Sequence, residues 1–289
     1  MSASGTSSSA AAQLKQHLKP LYRRGQRLVA RTLFAYSPAD LEAAIARIGI
    51  REGDAVMVHS GFRPTSGFVG TPADVIDAML RAVGPEGHLL MMSIPYRGSS
   101  QAYAERNPLF DVRRTPSAVG LISELFRRRP DVARSLSPLH PVVVHGPLAA
   151  WLVADHDTAL RSCGKGTPFE RFLSLNGKVM FFDAPYTSMT FMHYVEDACV
   201  DRLPLELYDP TPVSILVRDH TDRRREVRHL VFSAEARARR HFASIELGLR
   251  RTGALHAERV GNTQLLCVAA RDVLECAERL VEEGTGFYS

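Results

Sequence analysis

Residues 37–93 read SPADLEAAIARIGIREGDAVMVHSGFRPTSGFVGTPADVIDAMLRAVGPEGHLLMMS, and this stretch decides the fold. Ser37-Pro38-Ala39-Asp40 places a hydroxyl at a helix N-cap, a proline at the first helical position and an acid at the third. Leu41, Ala44, Ile45 and Ile48 then share one face, and Gly49 ends the helix. Ala55–His59 is a short apolar strand, followed by a glycine-rich loop from Ser60 to Gly70. Thr71-Pro72-Ala73-Asp74 starts a second capped helix, carrying Val75, Ile76, Met79, Leu80 and Val83 to a stop at Gly84. His88–Ser93 is a second buried strand. Helix, strand, helix, strand is the rhythm of an α/β core.

The rest of the chain extends this pattern. Ser117 is expected to cap a helix through Phe126, Pro147–His156 reads as helical, and Thr167-Pro168-Phe169-Glu170 starts another helix. Lys178–Asp183 is a strand feeding the loop Ala184–Ser188, and the helix beyond it carries His193, Glu196 and Asp197. Val213–Val217 and Glu226–Val231 read as a hairpin around a polar turn. A long helix rich in Ala and Arg follows, then strands near Val260 and at Leu265–Ala269, and a last helix from Arg271 to Glu282. The expectation is a single large α/β domain, its central mixed sheet flanked by helices, with a smaller β-rich C-terminal part.

Composition narrows the function classes. The 289 residues are 45% hydrophobic and 23% charged, ordinary for a globular enzyme. No apolar run approaches the roughly 20 residues that span a bilayer, and the first dozen residues lack the basic and apolar regions of a secretory signal. Cys163, Cys199, Cys267 and Cys276 form no CxxC pair, which speaks against a zinc knuckle or a disulfide framework and for a reducing, cytoplasmic setting. The net charge of +5 is local: Lys15, Lys19, Arg23, Arg24, Arg27 and Arg31 stand in residues 1–39 without an acid, so the body is nearly neutral. The chain therefore divides into a basic extension, residues 1–36, and a body, residues 37–289. The extension reads as a solvated helical segment or as a contact for an anionic surface such as membrane headgroups. It has no motif and no groove-like set of aromatics for nucleic acid. No GxSxG elbow or GxGxxG loop is present, and Asp155-His156-Asp157 alone cannot converge on a metal.

Four collinear stretches carry a resemblance. They are Gly53–Met92; FDVRRTPSAVGLISELFRRRPDVARSLSP, Phe110–Pro138; GPLAAWLVADH with GKGTPFERFLSLNGKVMFFDAPYTSMTFMHYVEDA, Gly146–His156 and Gly164–Ala198; and RVGNTQLLCVAARDVLECA, Arg259–Ala277. Together they resemble the aminoglycoside 3-N-acetyltransferase family. The resemblance implies that residues 37–289 form an acetyl-CoA-dependent N-acetyltransferase domain that needs no metal and passes acetyl directly to a primary amine without an acyl-enzyme. The family's catalytic His-x-x-Glu falls on His193 and Glu196. Residues three apart share a helix face, so the carboxylate can fix the imidazole tautomer and leave a neutral ring as general base. Ser188 and Thr190, ahead of that helix, are the expected oxyanion donors. His59, Ser60, Gly61 and Phe62, with the turn at Thr115 and Ser117, are the expected acetyl-CoA site, and Tyr96, Asp111 and Tyr186 the expected acceptor contacts.

This chain departs from the family in informative places. Where aminoglycoside-modifying members carry several acids after the second strand, residues 95–115 hold Arg97, Arg106, Arg113 and Arg114 against Glu105 and Asp111. Asp183 stands where Gly is common, Thr187 where Asp is, Met189 where Asn or a small apolar residue often is, and Ser137 where many members have His or Asn. Coulomb logic points away from a polycation and toward a small-molecule amine on a neutral or anionic carrier, such as an amino sugar or a biosynthetic intermediate. The alternatives are an aminoglycoside acceptor, with antibiotic resistance as the outcome, and an inactive CoA-binding scaffold. A homodimer is compatible with either.

Overall fold

The computed structural model describes residues 20, 22, 24–26 and 28–288, so most of the basic extension lies outside the described residues. The strands in chain order are β1 (Ala55–Ser60), β2 (His88–Met92), β3 (Leu109–Asp111), β4 (Ala133–Arg134), β5 (Val142–His145), β6 (Lys178–Phe182), β7 (Val213–Arg218), β8 (Arg224–His229), β9 (His256–Val260) and β10 (Thr263–Ala269). Seven of them form one mixed sheet in the order β4-β5-β2-β1-β6-β10-β9. At its centre β2, β1 and β6 run parallel, while β5 and β10 join antiparallel on either side.

Alternation along the central strands explains the layers. Val56 and Val58 face one cluster with Leu41, Ile45, Val75 and Met79 from the helices Pro38–Arg47 and Pro72–Val83. Ala55 and Met57 face the other, with Phe169, Phe172, Val195, Leu249 and Val273 from helices on the far side. A sheet buried on both faces explains why these strands read as continuous apolar runs. Both N-terminal helices begin with complete capping boxes, Ser37 with Asp40 and Thr71 with Asp74, each cap stabilising its helix by about 1 kcal/mol.

Three boundaries differ from the sequence expectation. The helix expected from Ser117 begins only at Leu121, because Gly120 at φ 142 breaks the backbone ahead of it and the Ser117 N–H is held by Glu124. The long Ala/Arg helix is two, Ala234–Arg239 and Ala243–Thr252. Between them Arg240 leaves helical geometry to bridge Tyr288, and the His241 N–H donates to the Phe287 carbonyl at 3.0 Å. The smaller sheet, β3-β7-β8, takes β3 from far upstream and lies before the last two strands, which return to the large sheet.

Candidate active site

Parallel strands position the site. The chain leaves β1 for β2 on one side and returns as β6 on the other, so the loops at the C-terminal ends of β1 and β6 part around a crevice. A cavity of about 270 Å³ opens there, lined among others by His59, Ser60, Gly61, Ile94, Asp183, Ser188 and Thr190. Gly61 is needed for close approach: its N–H donates to the Phe182 carbonyl at 2.8 Å, and a Cβ would stand 2.6 Å from the Asp183 carbonyl oxygen. Asp183 itself adopts a left-handed conformation, φ 52, which Asp tolerates better than most residues. Its carboxylate is gripped by both nitrogens of the Arg63 fork, which ties the two loops together across the cavity mouth.

Past β6 the chain makes a short 3₁₀ turn, Tyr186–Ser188, and enters the helix Met192–Ala198. His193 and Glu196 share one face of this helix, and His193 Nδ1 donates to Glu196 Oε2 at 2.8 Å. With Nδ1 committed to the carboxylate, the neutral form of the ring presents its lone pair at Nε2, the arrangement a general base uses. Glu196 is fully buried, 0% exposed, whereas the His193 side chain keeps 20% exposure. Arg240 Nε donates to Glu196 Oε1 at 2.6 Å, and the Tyr288 hydroxyl donates to the same oxygen. Burial alone raises the Glu196 carboxyl, yet the partners His193, Arg240 and Tyr288 outweigh it and hold the group below its ordinary range. The His193 ring packs on Phe232, centroids 4.7 Å apart, and edge-on to His140 at 5.5 Å.

His59 behaves differently. Burial, with His193 nearby, pushes its imidazole down to about 4, so it stays neutral. It stacks on Phe181 and its Nε2 accepts a long 3.4 Å bond from the Thr190 N–H. Cys163 is buried and its thiol is pushed up by burial, which removes the thiolate that a covalent route would need. A larger cleft of about 500 Å³ lies against the first described helical residues, lined by Tyr22, Gln26, Val29, Phe34, Thr65 and Asn262, with no histidine or carboxylate among its described lining residues. Among the described residues no group of His, Cys, Asp or Glu is arranged to hold a metal ion. In Asp155-His156-Asp157, both imidazole nitrogens of His156 are taken by Ser135 and Ser162.

The family model described as aminoglycoside 3-N-acetyltransferase matches residues 57–282. The chain belongs to the aminoglycoside 3-N-acetyltransferase family. It is 33% identical over 168 residues to aminoglycoside N(3)-acetyltransferase III of Serratia marcescens, a match covering 54% of this chain and 62% of the relative. It is 31% identical over 170 residues to aminoglycoside N(3)-acetyltransferase VIII of Streptomyces fradiae, covering 54% and 58%. The chain thus spans less than two thirds of the length of these curated relatives. Among solved structures it superposes on AAC-VIa bound to sisomicin with TM-score 0.70 at 25% identity, over 86% of this chain and 98% of that one. Aminoglycoside acetyltransferase AAC(3)-Xa shares the fold at TM-score 0.77 and 23% identity, over 92% and 99%. The binary structure of AAC-IIIb with CoASH does so at 0.73 and 23%, over 88% and 99%.

Within this aminoglycoside 3-N-acetyltransferase fold, His59, Ser60, Gly61, Ser188 and Thr190 all line the one cavity, with His193 one turn beyond Thr190. Phe62 instead faces the neighbouring groove with Arg31 and Phe68. Ser188 does not cap the His193 helix, whose N-cap is Phe191; its hydroxyl donates to the Pro185 carbonyl. Thr115 and Asp111 lock one turn: the Asp111 N–H donates to Thr115 Oγ1 at 2.8 Å, and the Asp111 carboxylate accepts from the Arg113 and Arg114 N–H groups and from Arg218. The Asp111 carboxylate is therefore already engaged by its own turn and by Arg218. Tyr186 is likewise turned into the core, stacked on Phe181, because the 3₁₀ turn points it inward. Tyr96 donates to the Leu139 carbonyl, next to His140, and stacks on Tyr103. Sequence reasoning missed Arg240, Tyr288, Phe232 and His140, which complete the surroundings of His193. Arg240 sits in an arginine-rich run where nothing in the periodicity marks it.

Proposed function

We propose that the protein is an acetyl-CoA-dependent N-acetyltransferase that passes acetyl directly to a primary amine, with His193 as general base and Glu196 as its anchor. The observation that carries this reading is a fully buried carboxylate bonded to Nδ1 of a histidine whose ring keeps contact with solvent. Two features of the crevice support coenzyme binding there. The buried hydroxyls of Ser60, on the cavity wall, and of Ser117, two residues from the cavity-lining Val119, have no hydrogen-bond partner among the described residues, and the Gly61 backbone closes so tightly on Asp183 that no side chain intrudes. Ser60, Gly61 and the Thr115–Ser117 turn would hold it, and acetyl-CoA supplies the thioester carbon that the amine attacks. His193 Nε2 takes the proton from the attacking nitrogen, the C–S bond breaks as the amide forms, and the proton is returned to the departing CoA thiolate. The Ser188 hydroxyl already donates to a carbonyl, so the weakly engaged Thr190 N–H is the better donor for charge developing on the carbonyl oxygen.

The acceptor is an amine on a neutral or anionic small molecule, such as an amino sugar. Asp111, Asp183 and Asp197 are each already paired with an arginine: Arg218, Arg63 and Arg161. A polycation would have to displace those partners. The likeness to AAC-VIa, whose structure holds sisomicin, supports an aminoglycoside as the second reading. Thiol release from acetyl-CoA, measured with sisomicin and with amino-sugar nucleotides, separates the two. Turnover of the nucleotides is expected; robust turnover of sisomicin alone would overturn the acceptor class. Retained transfer by His193→Ala would overturn the base.

A further inference from the structure

Glu196 has two carboxylate oxygens, and His193 uses one. The other lies in a fully buried setting where an unpaired charge would be driven to take up a proton. Arg240 Nε reaches it at 2.6 Å and the Tyr288 hydroxyl joins it. These two residues come from the break between two helices and from the segment after the last helix, and they are joined to each other by an isolated β-bridge. The neighbouring His241 N–H to Phe287 carbonyl bond fixes that junction, and Phe287 is fully buried beneath it. The Arg240 guanidinium carbon sits over the Phe232 ring, 4.6 Å from its centre, and the same ring packs against His193. One cation thus holds the far oxygen of the carboxylate while resting on the aromatic floor of the imidazole.

We propose that Arg240 and Tyr288 are positioning residues for acetyl transfer: they keep Glu196 ionised and aimed, and through it hold His193 in the Nδ1–H tautomer. The inference rests on His193 being the base. Among the described residues, the other ionisable groups interacting with Glu196 are the Cys163 thiol and the Tyr208 hydroxyl, both raised by burial and neutral. Asp197, on the same helix, is tied to Arg161 and Tyr208. His59 and His140, beside His193, are held neutral by burial. Arg240 is therefore the cation that offsets burial of the carboxylate.

The sign of the effect follows. Without Arg240, burial acts on Glu196 with less opposition and its carboxyl rises. As pH falls through that raised value, the carboxyl takes up a proton and becomes the donor in its bond to Nδ1. The proton formerly on Nδ1 passes to solvent while Nε2 takes one up, so the imidazole becomes the Nε2–H tautomer and the base is lost. Histidine-15N spectra of the full chain read the tautomer directly, with His193→Ala identifying the resonance. Arg240→Met is expected to enrich the Nε2–H form. It should also move the acid limb of kcat/KM upward by about one pH unit, with activity recovering at alkaline pH. Arg240→Lys should restore most of the limb. Tyr288→Phe, which keeps the packing, should lower kcat about tenfold, the lower end of losses for outer-shell partners, with KM for acetyl-CoA unchanged. An unchanged tautomer with activity lost equally at every pH, or a wild-type profile in both Arg240→Met and Tyr288→Phe, overturns the inference. If instead His193→Ala retained transfer, the base assignment would fall first.

Discussion

Two histidines stand 5.5 Å apart and have opposite chemical standing. His193 is bonded to a buried carboxylate, whereas His140 is bonded through Nδ1 to the Ser162 hydroxyl at 2.7 Å. Behind His140 the pattern of neutral partners repeats. His156 donates from Nε2 to the Ser162 carbonyl and accepts at Nδ1 from Ser135. His229 donates from Nδ1 to the Ala159 carbonyl and accepts at Nε2 from Ser137. Burial pushes His156 down to about 3, His229 to about 4, and His140 well below the ordinary value. Hydroxyls and carbonyls satisfy an imidazole without compensating a charge on it, so these rings stay neutral. A carboxylate compensates the charge that a base acquires. The difference between the proposed base and the histidines around it lies in that single partner.

The most forceful attempt to break this comparison removes the partner. Glu196→Gln keeps the shape but replaces the charge with an amide that can present either a donor or an acceptor to Nδ1. The turnover number is expected to fall by about 10²–10⁴, the range for loss of a general base or of its tautomer, with KM for acetyl-CoA little changed. His156→Gln, in the neighbouring cluster, should leave turnover within a few-fold. Steady-state kinetics on the two variants decides the matter, and equal losses in both would erase the distinction between the two kinds of histidine.

The neutral cluster has its own signature, in stability. His59, His140, His156 and His229 all have folded values below the ordinary 6.5. Between pH 6.5 and about 4 the unfolded chain binds protons at these positions while the folded protein does not. Acidification therefore favours unfolding, and stability rises with pH through this window. Each group contributes roughly 1.4 kcal/mol per pH unit once the unfolded histidine is fully protonated. Glu196 acts lower down: its folded value is depressed, so its contribution is lost only as pH falls below the carboxylate's usual range. Urea unfolding at pH 7, 6 and 5 should show a steep fall in stability, and a flat profile would mean that the cluster takes up protons while folded.

The legible part of this site is the part encoded locally. His193 and Glu196 are three residues apart on one helix, so their spacing announces their contact, and the α/β rhythm of residues 37–93 announces the parallel strands that open the crevice. Arg240 and Tyr288 reach Glu196 across 44 and 92 residues, and no periodicity spans such distances. Polar loop residues misled in the opposite direction. Asp111 reads as an acceptor contact, and the structure shows its carboxylate accepting from backbone N–H groups of its own turn. Asp183 carried more information than the sequence showed. Its backbone is left-handed, a conformation glycine adopts freely, and the Arg63 fork explains how an aspartate lives there. That pair is asymmetric, with the Asp183 side chain 4% exposed and Arg63 52%. Arg63→Ala, which strands a buried carboxylate, should therefore destabilise by about 1–3 kcal/mol, and Asp183→Gly by less, as urea midpoints would show.

The smallest expected effect sharpens the comparison most. His140→Gln removes the ring that meets His193 edge-on but leaves an amide able to bond the Ser162 hydroxyl. If His140 only packs, turnover should change by no more than about threefold, roughly 0.7 kcal/mol in the barrier. The acid dependence of stability should become shallower, because one fewer imidazole is held neutral on folding. Both readings come from the same variant, kinetics for the first and urea unfolding at pH 7 and 5 for the second. A collapse in turnover would place His140 among the groups that handle the proton, and the line between the two histidines would have to be redrawn around the pair.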